Sequence, residues 1–408
     1  MTLRRVSLVR YIAFTLASVG AALLQSGIMG EGQGGGATCV WAADADPVAA
    51  ALERAGGNRA EIAGALERAP AEHRDSMRFL IENMPDRDLK ELKAEFLLEN
   101  VRLAHEALDK APWKASMPRE VFLNNVLPYA NINERRDDWR ADFIKRFGPL
   151  VAEAKTPGQA AAILNQKIFG MVNVRYSTGR PKADQSPFES MKAGLASCSG
   201  LTVLLIDACR AVGVPARFVG TPLWSDKSGN HSWVEVWDDG WHFTGAAEPA
   251  GDKLDEAWFI GRASTAQRDH RLHAIYAVSF KKTPITFPLV WDRSIDYVHA
   301  VNVTDRYAGK AVPLADGFSA VMFKVVDGAV GNRCAAKLTV RDAAGKVVFE
   351  GTSKDERFDA NDHVTVPLKA GEKYQVEAQS DSGKKSTAVA EPDVGKKANG
   401  VVTIKLDP

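Results

Sequence analysis

The segment between Ser197 and Gly213 constrains the fold of this chain most. Almost all of its residues are small or apolar, and charged side chains occur only at Asp207 and Arg210. The segment predicts an apolar helix that begins near Cys198 and ends at Gly213, because glycine is favoured just after a helix C-terminus. A probable strand follows over residues 214–219. The unit at the centre of the chain is therefore expected to mix helix and sheet.

Cys198 lies at the predicted start of this helix. Free backbone N–H groups and the helix dipole favour negative charge at that position. A thiol placed there is favoured in its thiolate form, which is the nucleophilic form of cysteine. Cys209 falls in the middle of the same helix among apolar residues, so it is interpreted as a packed and inert thiol. Cys198 is the candidate nucleophile.

A hairpin is predicted downstream, where two alternating runs flank Asp239-Gly240. If those two residues form the loop, His231 lies directly opposite Glu248, with Cβ atoms about 5 Å apart. A bulge over residues 245–247 would shift this pairing by one residue. Cys198, His231 and Glu248 would then form a Cys-His-acid triad. In it, His231 moves the thiol proton to the leaving amine and Glu248 orients the imidazole.

The stretch Ser197-Cys-Ser-Gly200, the stretch Gly213-Val-Pro-Ala-Arg217 and the stretch His231-Ser-Trp-Val-Glu-Val-Trp237 together resemble the transglutaminase-like superfamily, which is related to the peptide N-glycanases. The resemblance covers roughly residues 160–260. It implies a papain-like α+β core, with the family's nucleophile at Cys198 and its histidine at His231. The family usually has Asp before Pro as the third residue, whereas this chain has Glu248-Pro249.

Four further residues are candidates for the oxyanion hole or the substrate cleft. Gln185 or Tyr176 could supply the second oxyanion donor beside the backbone N–H of Cys198. The alternative is that they are a surface loop amide and a strand aromatic. Trp233 and Trp237 could wall an acyl-binding cleft, or they could simply pack the sheet against a helix.

Glu235 lies on the same predicted strand face as His231, about 13 Å away at the usual strand rise. It is therefore expected to have no part in the triad, and Glu235→Gln is expected to change turnover far less than Glu248→Gln.

No metal, cofactor or nucleic acid is predicted as a ligand. The cysteines at 39, 198, 209 and 334 lack zinc-ligand pairing, and His270 and His273 have no third ligand at suitable spacing. The chain has 52 basic and 51 acidic side chains, so its formal net charge is only +1. A dedicated nucleic-acid binder needs a surplus of cations to neutralise phosphates.

The composition changes along the chain predict a multidomain α+β protein. Residues 1–43 are interpreted as a signal peptide and Gly-rich linker, and residues 44–155 as a helical domain. Residues 156–308 would form the catalytic domain, and residues 309–408 an Ig-like antiparallel β-sandwich. Within the helical domain, a helix is predicted from about Asp86 to Lys110. The mixed-charge run at 133–138 is interpreted as a solvated helix face.

The N-terminus indicates export. Arg4, Arg5 and Arg10 precede an uncharged stretch at 11–24, which matches the basic and apolar regions of a signal peptide. The stretch is shorter than the roughly 20 residues of a membrane-spanning helix. The mature chain is thus expected in the periplasm, the cell envelope or outside the cell, with no membrane span. An uncleaved anchor is the alternative.

The sequence therefore predicts an exported cysteine enzyme that acts on peptide or protein amide bonds through a thioester, by hydrolysis or by acyl transfer. The alternative is a non-catalytic envelope binding protein with a degenerate transglutaminase-like core. In either case the C-terminal sandwich is expected to be a spacer or to bind an envelope partner or glycan.

Overall fold

A computed structural model describes residues 46–310, 314–328, 330–395 and 398–406. The predicted signal peptide and linker at 1–43 lie outside the described residues. Within the described residues, no helix has the length and apolar character needed to cross a membrane.

Eleven α-helices occur in the part of the chain that the structure describes. They are α1 (Pro47–Arg54), α2 (Arg59–Arg68), α3 (Arg74–Asn83), α4 (Asp86–Glu91), α5 (Ala94–Lys110), α6 (Arg119–Asn125), α7 (Arg140–Phe147), α8 (Pro157–Met171), α9 (Pro187–Ala193), α10 (Cys198–Ala211) and α11 (Ile260–Ala263).

Fifteen strands are found over the same described ranges. They are β1 (Arg175–Tyr176), β2 (Leu195–Ala196), β3 (Ala216–Thr221), β4 (His231–Trp237), β5 (Trp241–Thr244), β6 (Tyr276–Val278), β7 (Ile285–Thr286), β8 (His299–Asn302), β9 (Phe318–Asp327), β10 (Lys337–Arg341), β11 (Val347–Thr352), β12 (Val364–Lys369), β13 (Tyr374–Gln379), β14 (Lys385–Ala390) and β15 (Ala398–Leu406).

The N-terminal region is helical, as predicted, but the expected helix over 86–110 is two helices, α4 and α5. The backbone of Leu92 is extended at the break. Asn58 donates from its side chain to the carbonyls of Leu89 and Leu92, and Glu61 accepts from the N–H of Ala94. Neighbouring helices thus satisfy the backbone groups that the break frees.

The interpretation of residues 133–138 as a solvated helix face is wrong. The run is neither helical nor fully exposed. Glu134 is buried and accepts the backbone N–H groups of Asn131 and Ile132. Arg136 forms an ion pair with buried Asp88 at 3.0 Å. Arg136 thus ties the loop to the helical region, and Glu134 stabilises the backbone within the loop.

Helix α10 is the centre of the core formed by the transglutaminase-like part of the chain. Nearly all of its side chains are buried, and they share one apolar cluster with the inner face of the sheet. The helix ends before Gly213, as predicted, and that residue has a positive φ of 76°. A Cβ at this position would also lie 2.8 Å from the carbonyl oxygen of Ala107, so only glycine fits there.

The sheet beside α10 has six strands in the order β5-β4-β3-β6-β8-β7, and all of its neighbouring strands are antiparallel. Strand β4, which begins at His231, is therefore an inner strand. Strands β1 and β2 form a separate parallel pair, and β2 directly precedes α10.

The C-terminal region is a β-sandwich, as predicted. One sheet has the order β11-β10-β13-β14 and the other β12-β9-β15, with an apolar cluster formed by strands of both sheets. The pairing differs from the prediction at one place, because β15 runs parallel to β9. The loop between β11 and β12 leaves this sandwich and contacts the core around α10 and β4.

Candidate active site

Cys198 is the first residue of α10, as the sequence predicts. Ser197 precedes the helix with an extended backbone, and its hydroxyl donates to the carbonyl of Ala183 at 2.9 Å. The side-chain oxygen of Ser197 also accepts the N–H of Gly200 at 3.4 Å. These contacts fix the start of the helix, so the half-buried thiol lies at its positive end.

His231 is the first residue of β4 and only 1% exposed. The residues that follow Cys198 and His231 are joined by a contact of 3.1 Å between the hydroxyls of Ser199 and Ser232. A ring nitrogen of His231 and the Sγ of Cys198 lie within 4.8 Å of each other. The helix and the strand thus bring the predicted nucleophile and histidine together.

The hairpin after β4 has a different register from the predicted one. Trp237 pairs with Trp241, so the loop has three residues, and β5 ends at Thr244. The Asp238 carboxylate accepts the N–H of Gly158 at 3.1 Å, at the start of α8. Asp238 lies in the loop and not in the ladder. The predicted pairing of His231 with Glu248 in the sheet is therefore wrong.

Glu248 nevertheless approaches His231 by another route. A turn over residues 245–248 returns the chain, and the Glu248 Oε2 lies 3.8 Å from the Nε2 of His231. This is an ion-pair distance, longer than a hydrogen bond. The indole of Trp258 donates to the same carboxylate oxygen at 2.8 Å. A Cβ at Gly245 would lie 2.3 Å from that oxygen, so glycine permits the turn.

A second carboxylate, which the sequence analysis missed, faces the other ring nitrogen. The Oδ2 of Asp359 lies 3.4 Å from the Nδ1 of His231, and both side chains are 1% exposed. A ring nitrogen of His231, the thiol of Cys198 and an Asp359 oxygen all lie within 4.8 Å of one another. Asp359 belongs to the β-sandwich, so the C-terminal domain contributes to the site.

We call residues 355–363 the inter-domain loop. On the sandwich side, the buried guanidinium of Arg333 donates to the carbonyls of Phe358 and Asp359. On the core side, the Ala360 N–H donates to the hydroxyl of Tyr176 at 2.8 Å. Asn361 also donates to the carbonyl of Asn230 at 3.1 Å. The middle of the loop is therefore held from two sides, by the sandwich and by the core.

Burial and charge set the protonation of the three ionisable groups around the histidine. Burial alone lowers the pKa of His231, but the Asp359 carboxylate, Cys198 and Glu248 outweigh it and raise that pKa well above its usual value. Burial raises the pKa of Glu248 to about 7, although the charge of His231 opposes this. Burial also acts to raise the pKa of Asp359, but His231 and Asn361 lower it below its usual range. The site thus favours an imidazolium facing the Asp359 carboxylate.

The two candidate oxyanion donors have other partners. Gln185 is buried, and its amide donates to the carbonyl of Leu195 at 3.0 Å. The hydroxyl of Tyr176 accepts from the inter-domain loop. Burial, with the charges of Asp359 and Cys198, raises the pKa of Tyr176. Tyr176 therefore lies at the site and holds the loop. An oxyanion role for either residue stays a prediction.

The two candidate tryptophans differ in placement. Trp233 is fully buried, stacks on Trp224 and donates to the hydroxyl of Tyr307 at 2.8 Å. It supports His231 from within the core, which agrees with the alternative of core packing. Trp237 packs edge-on against Trp241 at the hairpin end. The sequence analysis assigned no role to Trp258, whose ring centroid lies 4.9 Å from that of His231.

We expect Asp359→Asn to lower the pKa of His231, because the variant removes the charge that outweighs the effect of burial. In the natural protein, a raised histidine pKa stabilises the fold below the unfolded value of about 6.5. That contribution is lost as the pH rises through the folded pKa. Titration of ¹³C-labelled histidine by NMR measures the change. Asp381→Asn, an exposed carboxylate of the same sandwich, should leave the His231 titration unchanged.

Comparison with known proteins supports the resemblance in the sequence. Residues 146–245 match the family model described as "Transglutaminase-like superfamily". The curated proteins contain no match to this chain. The chain has 22% identity and a TM-score of 0.23 to a Cytophaga hutchinsonii structure titled "Putative Cysteine Protease", over 27% of this chain and 37% of that one.

Two further solved structures are similar. Red sea bream transglutaminase is 12% identical with a TM-score of 0.24, over 72% of this chain and 58% of that one. The Bacillus anthracis TIE protein is 14% identical with a TM-score of 0.18, over 47% of this chain and 31% of that one. The chain thus spans between about a third and 58% of the length of these three structures.

Proposed function

Starting from the transglutaminase-like match over residues 146–245, we propose that the protein is an exported cysteine enzyme that acts on peptide or protein amide bonds through a thioester. The observation that carries the proposal is the placement of Cys198 at the start of α10, with buried His231 beside it. A helix N-terminus favours the thiolate, and an adjacent histidine can exchange its proton. Glu248 is the carboxylate at the Nε2 of that histidine.

In the proposed reaction, the thiolate of Cys198 attacks the amide carbonyl carbon and forms a C–S bond. The backbone N–H of Cys198 stabilises the oxyanion of the tetrahedral intermediate. When the C–N bond breaks, the imidazolium of His231 gives its proton to the leaving amine. Water or a second amine then attacks the thioester carbonyl and its proton passes to the histidine, while the C–S bond breaks and restores the Cys198 thiolate. Both outcomes use the same acyl-enzyme.

Reaction with iodoacetamide near pH 6 tests the proposed nucleophile. We expect Cys198 to react at least about tenfold faster than a free thiol, because it lies at a helix N-terminus beside His231. Burial raises the pKa of both Cys209 and Cys334, so these two thiols should react slowly. Peptide mapping by mass spectrometry with a chelator present measures all three rates in one sample. Unfolding the protein should remove the difference.

The same experiment separates the enzyme from its main alternative, a non-catalytic envelope binding protein. The observation in favour of that alternative is Glu248, which stands where the family usually has Asp before Pro. If Cys198 reacts no faster than a free thiol, the proposed enzyme is refuted and the binding protein is favoured. Export is tested separately, by cell fractionation and N-terminal sequencing of the recovered chain.

A further inference from the structure

We propose that Cys198, His231 and Asp359 together bind a zinc ion at the contact between the catalytic core and the β-sandwich. The inference concerns the donor atoms themselves and does not depend on the protein being an enzyme. The sequence analysis predicted no metal, because it did not place Asp359 beside Cys198 and His231. With Asp359, the set has three ligands.

The spacing of the three donors fits zinc. Zinc bonds of about 2.0–2.2 Å to nitrogen and oxygen place tetrahedral neighbours about 3.4 Å apart. The Nδ1 of His231 and the Oδ2 of Asp359 are 3.4 Å apart. A ring nitrogen of His231, an Asp359 oxygen and the Cys198 Sγ all lie within 4.8 Å of one another, which places the sulfur close enough to be the third ligand.

The donors also lack other partners. Within the described residues, the buried His231 Nδ1 and Asp359 Oδ2 form no hydrogen bond and face each other, at the ion-pair distance of 3.4 Å. A buried polar atom without a hydrogen bond costs free energy. A metal ion between them would satisfy both. Asp359 is meanwhile held in place through its other oxygen, which accepts from Asn361.

The chemistry of the donor set favours zinc over harder ions. A thiolate, an imidazole and a carboxylate are common zinc ligands, whereas Mg²⁺ and Ca²⁺ prefer oxygen ligands only. The thiolate and carboxylate carry two negative charges, which balance a divalent cation. When Nδ1 binds the metal, the remaining ring proton lies on Nε2, which faces Glu248. A carboxylate in that position typically orients a histidine that binds a metal.

Zinc binding and thiol chemistry exclude each other at this site, because both use the lone pair of the Cys198 sulfur. The ion would also join α10 and β4 to the inter-domain loop. The metal-bound protein would therefore be unreactive at Cys198, with its two domains fastened together.

Cobalt titration of the full-length, reduced, metal-free protein tests the site. Co²⁺ replaces Zn²⁺ in tetrahedral sites, and a thiolate ligand gives a sulfur-to-cobalt charge-transfer absorption. We expect this absorption to saturate at one equivalent and to disappear when Zn²⁺ is added. Cys198→Ala should abolish it, and Asp359→Asn should weaken Co²⁺ binding at least about tenfold. Cys334→Ala and Asp381→Asn are the controls and should change neither. Circular dichroism confirms that each variant is folded.

A second measurement uses Cys198 as its own reporter. Zn²⁺ should protect this thiol from iodoacetamide, and a chelator should restore the reaction. The proposal is overturned if no thiolate absorption forms, if the absorption survives in Cys198→Ala, or if Asp359→Asn binds Co²⁺ as tightly as the natural protein. A fast thiol without cobalt binding refutes the metal site alone. Cobalt binding with a slow thiol in chelator refutes the proposed enzyme alone.

Discussion

Glu248→Gln is expected to lower turnover of an amide substrate about 10- to 1000-fold, which corresponds to ~1.4–4 kcal/mol of transition-state stabilisation. The change keeps the side-chain volume and an oxygen that can accept from Trp258. It removes the charge that faces the Nε2 of His231 at 3.8 Å. Loss of the equivalent charge in a serine triad costs about 10⁴-fold, and a thiolate–imidazolium pair that is already ionised needs less help.

The pH dependence gives this prediction a second readout. Because the pKa of Glu248 is about 7, turnover of the natural protein should rise as the pH passes through that value and the carboxylate ionises. The variant should lack that rise. Glu256→Gln is the matched control, since Glu256 follows Glu248 closely in the chain but pairs with Lys253 at the surface. Equal losses in the two variants would show that Glu248 has no special role.

Glu235→Gln is expected to destabilise the fold by ~3–5 kcal/mol, because it removes one partner of a buried ion pair. Arg217 donates to Glu235 from two guanidinium nitrogens, at 2.6 and 2.8 Å, and Arg306 donates at 2.8 Å. The hydroxyl of Tyr307 donates to the second carboxylate oxygen. A neutral amide would leave the Arg217 charge buried without its counter-ion.

Urea unfolding followed by tryptophan fluorescence measures this loss. All nine tryptophans precede residue 309, so the signal does not come from the β-sandwich. Glu256→Gln serves again as the control and should change the free energy of unfolding by less than about 0.5 kcal/mol. An unfolding midpoint of Glu235→Gln equal to that of the natural protein would contradict the prediction. Glu235→Gln is therefore not a suitable control for turnover, because the variant would lose stability.

The parts of the site that follow local rules could be predicted from the sequence. The start of α10 at Cys198 and its end before Gly213 depend on residues within one helix and its immediate flanks. The strand that begins at His231 follows from alternation of side chains over seven residues. Local preference and tertiary packing agree at these positions, which is why the prediction and the structure coincide.

The errors occurred where distant residues decide the local structure. The hairpin loop has one residue more than predicted, and its residue Asp238 binds the start of α8, a contact that no turn rule includes. Asn58 and Glu61 likewise stabilise the break between α4 and α5. Asp359 could not be found from the core sequence, because its approach to His231 depends on how the β-sandwich packs.

The inter-domain loop means that similarity in the core alone does not fix the chemistry of this site. The match to the transglutaminase-like family ends at residue 245, whereas the carboxylate that sets the charge of His231 lies in the C-terminal sandwich. Two proteins with the same core and different C-terminal domains would therefore hold chemically different histidines. Exchanging or trimming the sandwich would therefore change the pKa of His231, so the chemistry of the core depends on the C-terminal domain attached to it.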